Sequence, residues 1–175
     1  MKKFLAFALF GAMFSAPAFA QFAATGNTTL NVTIGPAAAI RVDTATTNLT
    51  STGNFSNYTG ATNWSYKIRT STGTGSGQVV VKINPDFSPA GGPSVAAGNL
   101  SYTCTLTAPT SGTGTACSGS VTAAATDTNV ATFGSATRSA SSGTQNNAVN
   151  WVLIDDPAYA TGSFSATAVF TISAS

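Results

Sequence analysis

The sequence predicts an all-β protein, an antiparallel β-sandwich of immunoglobulin-like or Greek-key type with one disulfide. Three observations carry this. Beyond residue 20, apolar residues recur with a period of two, and no stretch shows the 3.6-residue period of a helix. Clusters of Gly, Ser, Thr, Asn and Pro interrupt these runs at 71–77, 84–98, 109–114 and 139–147. Without helices to cover a parallel sheet, about nine short strands must bury their apolar faces against one another.

The chain opens on Lys2 and Lys3, an apolar run over 4–14, and Ala18-Phe19-Ala20 with its small residues at the cleavage-site positions. This is the three-part pattern of a secretory signal, expected at residues 1–20, with cleavage before Gln21. The apolar core is too short to cross a bilayer. The expected address is outside the cytoplasm of a bacterium, extracellular or on the cell surface, with no membrane span after cleavage.

Residues 21–35 form the next element. Phe22, Gly26, Leu30, Val32 and Ile34 fall on one face, and Gln21, Thr25, Asn27, Thr29, Asn31 and Thr33 on the other. Such an amphipathic ribbon before the Gly35-Pro36 break has two readings. It is the first strand of its own sandwich, or a donor strand that completes the sandwich of a neighbouring copy, with alternate side chains setting register.

The domain proper is expected over 36–175. Its strands are read at 37–43, 64–69, 79–83, 100–107, 115–122, 129–138, 148–155 and 164–172. The run 148–155 is apolar on both faces, as in a strand covered from both sides in the middle of a sheet. Cys104 and Cys117 are the only cysteines, and in an exported chain they read as a disulfide. The simplest geometry is a hairpin whose two strands the bond ties together. Closing a loop of about 14 residues is worth roughly 3 kcal/mol.

Charge and composition narrow the chemistry. Apart from Lys2 and Lys3, five basic residues (Arg41, Lys67, Arg69, Lys82, Arg138) meet five aspartates. The chain has no His and no Glu, which removes a His-based triad, a His metal site and a Glu general acid. No basic patch is available for phosphates, so nucleic acid is not expected as a partner. No Gly-x-Ser-x-Gly elbow or phosphate-binding glycine loop occurs. No catalytic residue, cofactor or metal is therefore assigned, and no enzyme is expected. Asp155 and Asp156, the one acidic pair, are a weak Ca²⁺ candidate or simply a turn after a strand.

One resemblance adds to this. The closing run Gly162-Ser-Phe-Ser-Ala-Thr-Ala-Val-Phe-Thr-Ile is similar to the last strand of chaperone–usher-type pilins. The front, Thr29-Leu-Asn-Val-Thr-Ile-Gly-Pro with Ala39-Ile-Arg-Val-Asp, resembles the donor-strand-plus-first-strand layout of that family's colonisation-factor branch. It implies an incomplete immunoglobulin-like sandwich polymerised by N-terminal donor strands, with copies of itself as partner and a periplasmic chaperone or outer-membrane secretion protein assisting. In that reading Phe22, Gly26, Leu30, Val32 and Ile34 form the assembly strand. The acceptor groove takes Phe164, Phe170 and Ile172, with Val79, Val81 or Trp151 beside them. The function expected is a self-assembling structural subunit of a bacterial extracellular filament or surface layer. The alternative is a secreted carbohydrate-binding module presenting aromatics such as Trp64 and Tyr66, although both are expected to point inward.

Overall fold

The computed structural model describes residue 25 and residues 27–175. The expected signal at 1–20, together with Phe22 and Gly26, lies outside the described residues. The chain divides into two units, residues 1–33 and 34–175, and every strand belongs to the second. Leu30, Val32 and Ile34 are exposed in a segment without strand structure, so the expected ribbon at 28–34 is not a strand here. Alternation marks a strand only where another strand completes its hydrogen bonds.

Among the described residues nine strands form two antiparallel sheets: β1 (Ala37–Val42), β2 (Tyr58–Arg69), β3 (Gly77–Ile83), β4 (Leu100–Thr105), β5 (Gly114–Ala116), β6 (Val121–Thr122), β7 (Thr128–Phe133), β8 (Thr144–Leu153) and β9 (Ala168–Ala174). Among the described residues the only helical element is a 3-10 turn at Val95–Ala97. One sheet runs β1-β2-β8-β4-β6 and the other β5-β7-β3-β9. The sandwich expected from the sequence is therefore the fold observed.

Inner faces follow the two-residue period. Val79, Val81 and Ile83 of β3 are buried, as are Val149, Trp151 and Leu153 of β8. Each such side chain contributes roughly 2 kcal/mol by leaving water. Strand β8 lies between β2 and β4, the central place its two-sided apolar pattern predicts. The Tyr66 and Phe133 rings, from opposite sheets, meet at 4.9 Å. Tyr102 and Trp151 pack edge-on at 5.2 Å.

The disulfide corrects one expectation. Cys104 lies on β4 in the five-stranded sheet, whereas Cys117 follows β5 in the four-stranded sheet. Their Cα atoms are 5.5 Å apart, so the bond joins the two sheets and does not tie a hairpin. The expected strand 115–122 breaks at Gly119, whose φ of 61° suits a residue without a Cβ. The chain changes sheets there: β5 pairs with β7, and β6 with β4.

A single buried carboxamide holds the irregular centre of β2. The β2–β8 register shifts between Trp64 and Tyr66, leaving ladder groups without regular partners. Asn147, fully buried, takes them over: its Nδ2 donates to the carbonyls of Trp64 and Thr144, each at 3.0 Å, and its Oδ1 accepts from Thr107 N at 2.9 Å. Asn147→Ala orphans two buried carbonyls and frees the Thr107 N–H, so urea denaturation should show a loss of about 2 kcal/mol. A loss below about 0.5 kcal/mol would show that the carboxamide does not hold the bulge.

Candidate functional site

A cleft of about 1310 Å³ opens at one end of the sandwich, between the β2–β8 part of one sheet and the β3–β9 part of the other. Its floor is one end of the core, the buried side chains of Ile83, Leu100, Trp151 and Leu153. Half-buried rings line its walls, with Tyr58 from β2, Phe87 from the loop after β3, Tyr159 and Phe164 from the loop after β8, and Phe170 from β9.

Local sequence explains these walls. The loop after β1 lies directly on β2 at Gly60, where an added Cβ would stand 2.6 Å from the carbonyl oxygen of Asn48 and 2.9 Å from the Leu49 side chain. Only glycine permits that approach. The long loop between β3 and β4 is ordered around one carboxylate. Asp86 accepts from Phe87 N at 2.8 Å, Ser94 Oγ at 2.7 Å and Val95 N at 3.1 Å. The Ser94 hydroxyl in turn caps the 3-10 turn at Ala96 N. Phe87 thereby keeps its place on the wall.

Polar groups form a rim and a single seam. Trp151 Nε1 donates to Thr62 Oγ1 at 2.9 Å, and that hydroxyl pairs with Thr47 Oγ1 at 2.6 Å. Asn99 Nδ2 donates to the Tyr159 hydroxyl at 2.6 Å. Asp155 and Asp156 are the charged side chains on the lining, and no Lys or Arg stands among them. Asp156 Oδ1 accepts from Ala158 N at 2.9 Å, which makes it a turn residue in its own right. Among the described residues no cluster of three potential metal ligands occurs.

Two carboxyls outside the lining are perturbed. Burial alone would raise Asp86, but the Ser94, Val95 and Phe87 donors outweigh it and hold the carboxyl below its ordinary value of 3.8. Asp43 is lowered chiefly by the Ser65 hydroxyl; burial opposes this, and the Arg41 guanidinium adds smaller lowering effects.

The structure brings together part of what the sequence suggested. Phe164, Phe170 and Trp151 share the cleft, whereas Ile172 packs on the core, and Val79 and Val81 are buried within it. Trp64 and Tyr66 are 0% and 1% exposed, so neither can meet a sugar. Sequence reasoning missed Phe87, Leu153 and the 44–49 loop. The length of the 84–98 loop was the available signal, because loops of that size in compact domains often carry function.

Fold and site together define a disulfide-bridged β-sandwich with an open cleft of mixed polar and apolar lining. The family model of the beta-ketoacyl synthase N-terminal domain matches residues 37–131, slightly more than half of the chain, and on that match the chain belongs to this family. No curated protein and no solved structure gives a significant match.

This match overturns the resemblance to chaperone–usher pilins, since the matching family is neither pilin nor fimbrial. The filament or surface-layer subunit falls with it, as do the carbohydrate-binding alternative and partnership with copies of itself, a chaperone or an outer-membrane secretion protein. The expectation of no enzyme is corrected as well, because the family is named for a synthase. The physical reason is that small-and-large alternation in a terminal strand reports half-burial, a property common to strands of unrelated origin.

The matched residues comprise β1 to β6, most of β7 and the 3-10 turn, with no α-helix. Nucleophilic acyl transfer draws on a thiol or hydroxyl beside a base. Both cysteines of this chain are joined in the disulfide and there is no histidine. The cleft offers serine, threonine and tyrosine hydroxyls with Asp155 and Asp156 as its carboxylates.

The lowered Asp86 has a pH consequence. A carboxyl held below its unfolded value stabilises the fold above that value and stops doing so as pH falls through the folded one. Asp86→Asn should therefore flatten the acid limb of the stability curve below about pH 4. Thermal melts across pH 2–7 would show it (on the order of one melt per pH unit suffices). Parallel limbs in both proteins would mean that Asp86 does not hold the loop through its charge.

Proposed function

We propose that this protein binds an acyl chain in the open cleft, with the chain attached through an uncharged linkage such as a thioester or amide. The observation that carries the reading is the cleft itself: an apolar floor of Ile83, Leu100, Trp151 and Leu153 beneath a polar rim that holds two aspartates and no cation. The apolar floor would hold the chain, and the polar half of the lining would orient its head group. A free carboxylate would face the like charges of Asp155 and Asp156, whereas a neutral head group would not. The family description, which names a ketoacyl synthase, supports an acyl ligand.

The ligand test uses Trp151 as its reporter. Dodecanoyl-N-acetylcysteamine should bind by calorimetry, and a brominated analogue should quench tryptophan emission in the wild type far more than in Trp151→Phe. Dodecanoate should bind more weakly at neutral pH, and Asp155→Asn with Asp156→Asn should narrow the gap. Absence of binding by the thioester would overturn the reading.

We further propose that the chain is exported. Supporting this are the pattern at residues 1–20 and a disulfide between its two cysteines, since such bonds persist in oxidising compartments. N-terminal sequencing of protein recovered outside the cytoplasm should begin at Gln21. Recovery only of uncleaved protein from the cytoplasm would refute it.

A further inference from the structure

Three cations from separate segments meet on the outer face of the five-stranded sheet. Lys67 and Arg69 are alternate residues of β2 and leave the same face, exposed, while Ile68 between them is buried. Arg138, from the segment between β7 and β8, stands directly opposite Arg69 in an isolated antiparallel bridge. The flanking hydrogen bonds run from Thr70 N to Thr137 O and from Ser139 N to Ile68 O, each at 3.0 Å. Arg69 and Arg138 are therefore a non-hydrogen-bonded pair, the type with the closer side chains. With Lys67 they line an open groove of about 430 Å³, walled on the β1 side by Ala37 and Ala39, which pair with Arg69 and Lys67. The sequence reading of no basic patch for phosphates is corrected at this one place. No basic run exists in the chain, but the fold assembles a small patch.

The patch has no counter-charge of its own. No aspartate lines the groove, and among the described residues the sole ion pair is Arg41 with Asp43. Like charges directly opposite on paired strands repel, so an anion that bridges them removes a standing cost. Two of the heads are already placed. Arg69 Nε donates to Gly35 O at 2.8 Å, which leaves both terminal nitrogens to donate elsewhere. The stem of Lys67 runs over Gly143, where an added Cβ would stand 3.4 Å from Cγ and 3.6 Å from Cε. The groove takes the start of β1 and the end of β2, whereas the cleft takes Val42 and Tyr58 at their other ends, and the two share no lining residue.

We propose that this groove binds the dianion of a phosphate monoester, held by Arg69 and Arg138 with Lys67 as the third cation. This second site does not depend on acyl binding in the cleft. Planar guanidinium forks match the oxygens of a phosphate, and a doubly charged group satisfies both opposed arginines at once. Three cations suit one such group and are too few for the run of phosphates on a nucleic acid. A soluble ester and a lipid phosphate head group present the same chemistry.

The experiment titrates methyl phosphate calorimetrically into the full chain in low-salt, phosphate-free buffer at about pH 8, where the ester carries both charges. Binding should be seen, and the singly charged dimethyl phosphate should bind about fivefold more weakly. Arg138→Gln should weaken methyl phosphate by about fivefold, and Arg69→Gln, with a similar loss, serves if that variant does not fold. Lys82→Gln, on β3 of the other sheet, should leave the affinity unchanged. Flotation with phosphatidic acid vesicles, against phosphatidylcholine alone, separates the sources. Retention that Arg138→Gln abolishes supports a lipid head group, and ester binding without retention supports a soluble ligand. Binding of neither, equal affinity for the two esters, or equal losses in Arg138→Gln and Lys82→Gln would overturn the site.

Discussion

The architecture depends on how its two sheets are joined. Backbone ladders run only within each sheet, so what holds one sheet to the other is the shared apolar layer, a few hydrogen bonds such as that from the Tyr102 hydroxyl of β4 to Asn129 O of β7, and a single covalent link. That link, between β4 and the residue after β5, stands on the flank where short strands β5 and β6 give little pairing of their own. Its entropic contribution, about 3 kcal/mol, is a large share of the stability of an ordinary domain. On the other flank, β1 and β9 are sheet edges without a common ladder, and no cross-link joins them. The end of the core is covered there by loops in place of strands, and the cleft lies among those loops.

Polar groups buried in the core follow the same logic. The Tyr66 hydroxyl donates to Thr107 O at 3.0 Å, and the Tyr102 hydroxyl reaches Asn129 O at 2.9 Å. Burial pushes both phenols above their ordinary value, so they remain neutral donors. Each crosses from its own strand to a neighbouring segment and fixes it, as Asn147 does for the bulge in β2. The exception is Trp64, whose buried Nε1 finds no hydrogen-bond partner among the described residues. Its ring packs 5.8 Å from Tyr66 inside the apolar layer, where the packing of a large side chain offsets the unmade hydrogen bond.

What could be read from the sequence was local, and what could not was built from contacts between distant segments. Val79, Val81 and Ile83 announce β3 because their alternation needs no knowledge of a partner. Residues 58–63 of β2 gave no such signal. Their inward positions are Tyr58, Gly60 and Thr62, a pattern that suits a loop lying on Gly60 and a hydroxyl accepting from Trp151, neither of which the sequence displays as periodicity. The run 115–122 showed the opposite failure. Its alternation continues across a change of sheet, so period alone joined two strands that Gly119 separates. The cleft followed the same rule: Phe164, Phe170 and Trp151 were legible as apolar residues, but Phe87 became a wall residue only through the bonds that Asp86 makes with residues up to nine positions away.

Family and site chemistry lie on different links of the argument. Membership rests on a sequence match across β1 to β7, and the arrangement of side chains has to be judged separately because function resides in sites grafted onto folds. Here the thiols are bonded to each other across the sandwich and the chain has no imidazole, while the cleft offers apolar floor, fixed aromatic walls and an acidic rim. Those features discriminate among ligands by shape and charge. Binding is therefore what the described residues can do most directly, and any acyl transfer in this chain would have to use hydroxyls assisted by Asp155 or Asp156. The Asp156 carboxylate already accepts from the backbone of Ala158 and is engaged in the turn. Asp155 is thus the carboxylate of the pair less committed to the turn.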